Sequence, residues 1–241
     1  MSKRINVVVW NEYLHEVEME EVRQIYPDGI HNTIAAHLRK NSDISSVKTA
    51  TLVQPEHGLT EALLAETDVL LWWGHGAHEK VEDEIVQRVY DRVQAGMGLV
   101  VLHSGHASKI FSKLMGTNTG ELKWREDGTC STVFTVTHNH PIARGVPDSF
   151  VVPQEETYGE RFEIPTPDDI IFISSFGGGP EVFRSGVTFT RGLGRIFYFQ
   201  PGHETYPVYH QTEVLRVIEN GVLWTAPDEM TKPIQGHRPL D

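Results

Sequence analysis

Six residues able to bind a metal or carry a proton fall in pairs along this chain: His75 with His78, His103 with His106, and His203 with Glu204. A further group, Asn11, Glu12 and His15, stands near the amino terminus. Each group follows a short apolar run that reads as a β-strand, so each is placed at a strand end. Neighbouring parallel strands lie roughly 4.8 Å apart, which lets side chains from adjacent strand ends meet in one small volume. Imidazole and carboxylate together suit zinc and similar divalent ions, and a catalytic site uses three protein ligands and leaves a position for water. Any one of these histidines taken alone reads as a partner for a loop carbonyl. Their repetition at separate strand ends points to a shared cleft.

Other residues could join that cleft. Gln154-Glu155-Glu156-Thr157-Tyr158-Gly159-Glu160 is expected as a loop over it, offering a metal ligand, a general base or sugar hydrogen bonds, or else as a solvated acidic loop. Trp72, Trp73, Trp124 and Tyr206 offer faces for a sugar ring, with at least one of the paired tryptophans assigned to the core. Arg184 reads equally as an ion-pair partner and as a substrate contact. Ser104 sits in a strand-turn-helix context but lacks the first glycine of a Gly-x-Ser-x-Gly elbow, which makes a serine hydrolase a minor reading. No second histidine follows His78-Glu79 at metalloprotease spacing, and Gly177-Gly178-Gly179 reads as a tight turn rather than a phosphate loop.

Composition narrows the partners. The 241 residues carry 33 acidic and 21 basic side chains, a formal net charge of -12, which disfavours nucleic acid because phosphate binding needs a basic face. One cysteine, Cys130, allows neither an internal disulfide nor a thiolate zinc cage. No apolar run reaches membrane-spanning length, and Ile5 to Trp10 is too short for a signal peptide, so no membrane partner and a cytoplasmic location are expected. Composition leaves a homo-oligomer open.

The elements that must position these groups alternate in the first half. Strands are expected at Ile5–Trp10, Val47–Val53, Val69–Trp73 and Gly98–Leu102. Between them lie helices marked by Ile30, Ile34 and Leu38, by Thr60 at a helix start, and by Ile85, Val89 and Val93. Lys109 to Met115 follows as a helix stopped by Gly116. This is the signature of an α/β, doubly wound, mostly parallel, flavodoxin-like sheet flanked by helices. After Gly116 the texture becomes short β-like runs between turns, expected as β-hairpin insertions in the second half. A strand Arg195–Gln200 and a helix from about Glu213 to Trp224 close the pattern. A single domain over 1–241 is expected, with a core of about 4–226 and a loosely held tail over 227–241.

Several motifs carry a resemblance: Trp10-Asn11-Glu12, Trp73-Gly74-His75, Leu102-His103-Ser104-Gly105-His106, Leu122-Lys123-Trp124-Arg125, Pro153-Gln154-Glu155-Glu156 and Phe199-Gln200-Pro201-Gly202-His203-Glu204. In these the chain resembles the trehalose-utilisation (ThuA-like) family, whose fold is that of class I glutamine amidotransferases. Those enzymes carry cysteine at a Gly-x-Cys-x-Gly-His elbow, and here His103 stands in its place. The resemblance therefore implies an elbow without a thiolate, which removes the nucleophile of a glutaminase. It also implies sugar catabolism on a disaccharide or keto-sugar derivative.

Together these readings give a divalent metal, zinc by preference, held by His103, His203 and a third ligand from His75 or Glu156. His106, Glu204 or Glu12 would serve as acid, base or supporting partner, and Asn11, His15, Trp73, Trp124, Glu155, Tyr158, Arg184 and Tyr206 as substrate contacts. The alternative from another class is a non-catalytic sugar- or partner-binding module on the same fold.

Overall fold

Successive residues of a strand point to opposite faces of its sheet, and in this protein both faces of the parallel strands are covered. Val7, Val9, Leu71, Trp73, Val100, Leu102, Phe197 and Phe199 enter one core. Their chain neighbours Val8, Trp10, Leu70, Trp72, Leu99, Val101, Ile196 and Tyr198 enter another. That double burial is why these segments read as continuous apolar runs. The computed structural model describes residues 4–228; the expectation of a loose tail over 227–241 falls almost wholly outside the described residues.

The elements in chain order are β1 (Ile5–Asn11), α1 (His15–Glu18), α2 (Glu20–Ile25), α3 (Ile30–Leu38), β2 (Ile44–Thr51), α4 (Glu61–Glu66), β3 (Val69–Trp73) and α5 (Asp83–Gln94). There follow β4 (Gly98–Leu102), α6 (Lys109–Met115), β5 (Lys123–Thr135), β6 (Ser149–Gly159), β7 (Asp169–Phe176), β8 (Val182–Arg191), β9 (Gly194–Phe199) and α7 (Thr212–Thr225). Apolar stripes of α3 and α7 cover one face of the sheet, and those of α4, α5 and α6 cover the other. Helix α6 begins where the Ser108 hydroxyl accepts the Phe111 amide at 3.3 Å and stops at Gly116, which is left-handed at φ 71°.

One nine-stranded sheet runs β2-β1-β3-β4-β9-β8-β7-β5-β6. The expectation of a mostly parallel sheet holds only for its first part. The ladders β2–β1, β1–β3, β3–β4 and β4–β9 are parallel, whereas β9–β8, β8–β7, β7–β5 and β5–β6 are antiparallel. No crossover helix lies between β5 and β9: β6 and β7 flank β5 on its two sides, both antiparallel to it, and β8 and β9 then fold back as successive antiparallel neighbours. The expected hairpins thus extend the same sheet. The expected loop Gln154–Glu160 is corrected as well, since all but its last residue lies in β6, with Trp124 paired to Tyr158 and Arg125 to Thr157. Strand β2 begins at Ile44, ahead of the expected Val47, and α1 occupies part of a stretch read as loop. Among the described residues no helix is long and apolar enough to cross a membrane.

Candidate metal and sugar site

The centre of the site is the turn after β4. His103 adopts φ 50°, a left-handed conformation that a side chain other than glycine takes at a cost. It opens a single 3₁₀ turn over His103–Ala107 that leads into α6. A Cβ on Gly105 would lie 3.0 Å from Val101 Cγ1 and 3.2 Å from the Trp72 carbonyl, so glycine lets this turn sit directly on β3 and β4. The His103 Nδ1–H donates to the Gln200 carbonyl at 3.0 Å, which turns Nε2 toward Glu156 Oε2 at 3.3 Å. That contact is an ion pair without hydrogen-bond alignment: Nε2 and Oε2 are both buried and both lack a hydrogen-bond partner.

Strand ends bring two more imidazoles to the same point. Ligand atoms of His75, His103, Glu156 and His203 all lie within 4.8 Å of one another. The His103 and His203 ring centres are 5.3 Å apart, those of His75 and His203 5.4 Å, and those of His75 and His103 5.9 Å. Supporting contacts orient the rings. His75 Nδ1 lies 3.2 Å from Glu204 Oε1, and His15 Nε2 lies 3.6 Å from the same oxygen. His203 Nδ1 bonds the Thr205 hydroxyl at 2.8 Å. Carboxylate or hydroxyl behind an imidazole is the arrangement that fixes tautomer and aim in a metal ligand.

The electrostatics are those of tightly coupled opposite charges. Burial alone would depress His103, but the Glu156 carboxylate beside it and the charges of Glu155 and Glu204 outweigh burial and raise it to about 9. Burial would likewise raise Glu204, yet the imidazoles of His75, His203 and His15 hold it down at about 2. Burial lowers His203 to about 4, with the His103 charge adding to the effect.

Other expected site residues take different places. Glu12, expected as acid or base, accepts the amides of His75, Gly76 and Ala77 at 2.8, 2.9 and 3.1 Å. Glu155, expected at the substrate, is fully buried and accepts the amides of Gly202 at 2.8 Å and His203 at 3.2 Å. Both shape loops rather than face a ligand. Asn11 is fully buried, its side-chain amide on Glu16 at 2.6 Å and His31 at 3.1 Å. Trp73 is core, with its indole N–H on the Gly202 carbonyl at 3.2 Å. Arg184 is clamped on Glu160 by contacts of 2.8 and 2.9 Å. His15 stands behind His75 and Glu204 rather than in the cavity. His106, by contrast, lines the cavity, although it is nearly buried, with its Nδ1–H on the Thr119 carbonyl at 2.8 Å and its ring among Tyr158, Phe162 and Tyr198.

A cavity of about 340 Å³ opens over the cluster, with His75, His203, Ser104, Tyr158, Trp124 and Glu126 in its walls. Tyr158 stacks on His103 at 5.4 Å and its hydroxyl meets Ser104 Oγ at 3.0 Å. Trp124 is 66% exposed. Tyr206 is not among the lining residues; its ring lies 5.3 Å from that of His203. Glu126 is the residue missed in the sequence, with Oε1 3.8 Å from His203 Nε2. Its signal was the i, i+2 relation to Trp124, which puts both on one face of a strand.

Two buried histidines make a pH prediction. Burial pushes His31 down to about 4 and His106 down to about 3. The unfolded chain takes up a proton at each near pH 6.5, and the folded chain does not until much lower. Stability present above pH 6.5 is therefore lost as pH falls toward 4, by about 1 kcal/mol per pH unit per histidine. Glu155, raised to about 7 by burial, acts in the opposite sense, so the comparison is with a variant. Urea melts of His31→Gln should fall less steeply between pH 6.5 and 4.5 than those of the wild type, and parallel curves would contradict the assignment.

The sequence profile of a family described as trehalose utilisation (ThuA) matches residues 6–225. No curated protein matches the sequence. The fold is similar to a ThuA-like protein from Parabacteroides merdae, at TM-score 0.66 and 17% identity over 98% of this chain and 94% of that one. A ThuA-like protein from Bacteroides uniformis aligns at TM-score 0.64 and 15% identity over 93% and 92% of the two chains. The cytoplasmic protein STM1381 of Salmonella typhimurium LT2 aligns at TM-score 0.61 and 13% identity, over 92% of this chain and 100% of that one. At these identities the structural likeness carries the fold alone.

Proposed function

The chain belongs to the trehalose-utilisation (ThuA) family, and on that premise we propose an enzyme of sugar catabolism that holds a divalent metal at the elbow after β4. Its substrate is a small carbohydrate, a disaccharide or keto-sugar derivative. The observation that carries the metal is the convergence of ligand atoms of His75, His103, Glu156 and His203 within 4.8 Å of one another, with the His103 Nε2–Glu156 Oε2 ion pair buried and without a hydrogen bond. A buried polar atom without a hydrogen bond is costly, and a shared ion would supply the missing contact. Three imidazoles and one carboxylate suit zinc among the common divalent ions.

When bound, such an ion supplies polarisation of a sugar carbonyl or activation of a water. The chain's own residues do the rest. His103 is aimed by the Gln200 carbonyl and His75 by Glu204. Trp124 offers a face for the sugar ring, and Glu126 and Glu156 offer carboxylates to its hydroxyls. Acyl transfer from glutamine is not part of this reading, because the elbow position holds an imidazole in place of a thiolate.

Metal analysis of protein purified without a histidine tag tests the proposal. About one equivalent of zinc is expected in the wild type, with most of it lost in His103→Ala and in His203→Ala. A metal-free wild type, or variants that keep the ion, would refute the metal. Stabilisation by sugars with no turnover and indifference to chelators would favour the binding module instead.

A further inference from the structure

We infer that His15, His75 and Glu204 form a second cation site, distinct from the one at the elbow, for zinc or another divalent ion that favours imidazole. The inference goes beyond the reading above and rests on a different triangle of atoms. His75 Nδ1 lies 3.2 Å from Glu204 Oε1 and 3.3 Å from His15 Nε2, and His15 Nε2 lies 3.6 Å from the same oxygen. A tetrahedral zinc ion about 2.0–2.1 Å from its ligand atoms sets them about 3.4 Å from one another. The three edges already have the length that an ion bound to all three corners imposes.

Protons alone serve this triangle incompletely. An imidazole nitrogen carries at most one hydrogen, and that hydrogen points along one direction. Two nitrogens and one oxygen therefore satisfy at most two edges with hydrogen bonds, whereas a single ion engages all three corners. The surroundings are those of a ligand set. The other nitrogen of His15, Nδ1, is buried without a hydrogen bond and lies 3.4 Å from Glu12 Oε1. Glu12 is itself fixed by the amides of His75, Gly76 and Ala77. A carboxylate behind an imidazole is the usual support of a metal-binding histidine. Glu204 Oε2, the second oxygen of the third ligand, is also buried without a hydrogen bond.

Donor type and access set the ion and its affinity. Two imidazoles among three donors suit zinc, cobalt, nickel or copper, whereas magnesium and calcium take oxygen. The side chains of His15 and His75 are 19% and 27% exposed and that of Glu204 is 3% exposed, so the triangle is reached from its imidazole side. At the elbow His103, Glu156 and His203 are all buried and hold their ion more tightly. The second site fills only when metal is added. Because His75 turns Nδ1 to Glu204 and His15, only its Nε2 is left for the elbow. The Glu204 contact that aims His75 in the absence of a second ion becomes a metal bond in its presence.

Zinc titration of the untagged full chain against a competing indicator tests the inference, on protein first stripped by chelator. The wild type is expected to take up about two equivalents, the second more weakly than the first. His15→Ala should keep the first and weaken the second by at least about a hundredfold, more than loss of a supporting partner costs. Glu204→Gln, which preserves shape, should weaken the second likewise, and His103→Ala should lose the first and keep the second. A large excess of magnesium should leave the second ion in place. Wild-type crystals soaked in zinc should show an anomalous peak among His15 Nε2, His75 Nδ1 and Glu204 Oε1, a readout that needs no variant to fold. One equivalent lost in His103→Ala but kept in His15→Ala would overturn this site and leave the elbow metal standing. One equivalent lost in His15→Ala and Glu204→Gln but kept in His103→Ala would support this site and refute the elbow. A soaked crystal without that peak, or a second ion displaced by magnesium, would overturn the inference.

Discussion

Replacing Glu12 with alanine is expected to lower the unfolding free energy by about 4 kcal/mol and to loosen the loop that carries His75. The Glu12 side chain is 1% exposed, and its two oxygens accept three amides from Gly74–Ala77. Hydrogen bonds to a charged acceptor contribute about 1.5–3 kcal/mol each, and a buried donor left without a partner costs its desolvation. Alanine removes all three bonds at once. The loop can recover part of the loss by turning its amides to water, which is why the figure lies below the sum. Glu12→Gln keeps one accepting oxygen and should lose roughly half as much. Denaturant melts give the magnitude, and hydrogen exchange at His75, Gly76 and Ala77 locates it. A loss below about 1 kcal/mol, the level of an ordinary surface change, would contradict the clamp.

Gly202→Ala is expected to cost about 3–4 kcal/mol and to reduce metal retention, although the residue ligates nothing. Gly202 has φ 148°, a conformation left almost entirely to glycine. A Cβ there would come within 1.9 Å of the Tyr209 hydroxyl oxygen and 2.5 Å of its Cζ. Tyr209 is fully buried and has no room to withdraw. The same glycine gives its carbonyl to the Trp73 indole and its amide to Glu155, so a shift there moves His203 next to it. Gly116→Ala is the control: it is also left-handed, at φ 71°, but nothing lies within 4 Å of the added carbon. It should cost about 1 kcal/mol, the conformational part alone. Equal costs at both positions would show that the Tyr209 contact is absent in solution.

The first half of the fold was legible because its strands are buried on both faces and its helices carry clear stops. Thr60 and Gly116 mark ends that the structure reproduces. The second half was less so. Lys123 to Asp127 is too polar to read as a strand, yet it pairs with β6 as the wall of the cavity. Glu155 and Glu156 looked like loop residues because carboxylates in a strand usually face water. Here they are buried, one by the amides of Gly202 and His203, the other by His103.

The site divides in the same way. His75, His103 and His203 were legible from their places at strand ends, since strand order alone brings them together. The duties of Glu12, Glu155 and Asn11 were not. A carboxylate that binds backbone amides more than sixty residues away leaves no mark of that in its own neighbourhood. Arg184 and Glu160 are 24 residues apart and pair only because the chain just after β6 meets the start of β8, where the Glu160 amide donates to the Val182 carbonyl at 3.1 Å.

The central claim, a divalent metal at the elbow, is tested most directly by anomalous diffraction from a crystal of untagged protein never exposed to chelator. The account predicts one peak at the zinc edge about 2.0–2.2 Å from His103 Nε2, Glu156 and His203, and its disappearance in His103→Ala. Density no stronger than a water at that position, in crystals grown from freshly purified wild-type protein, would contradict it.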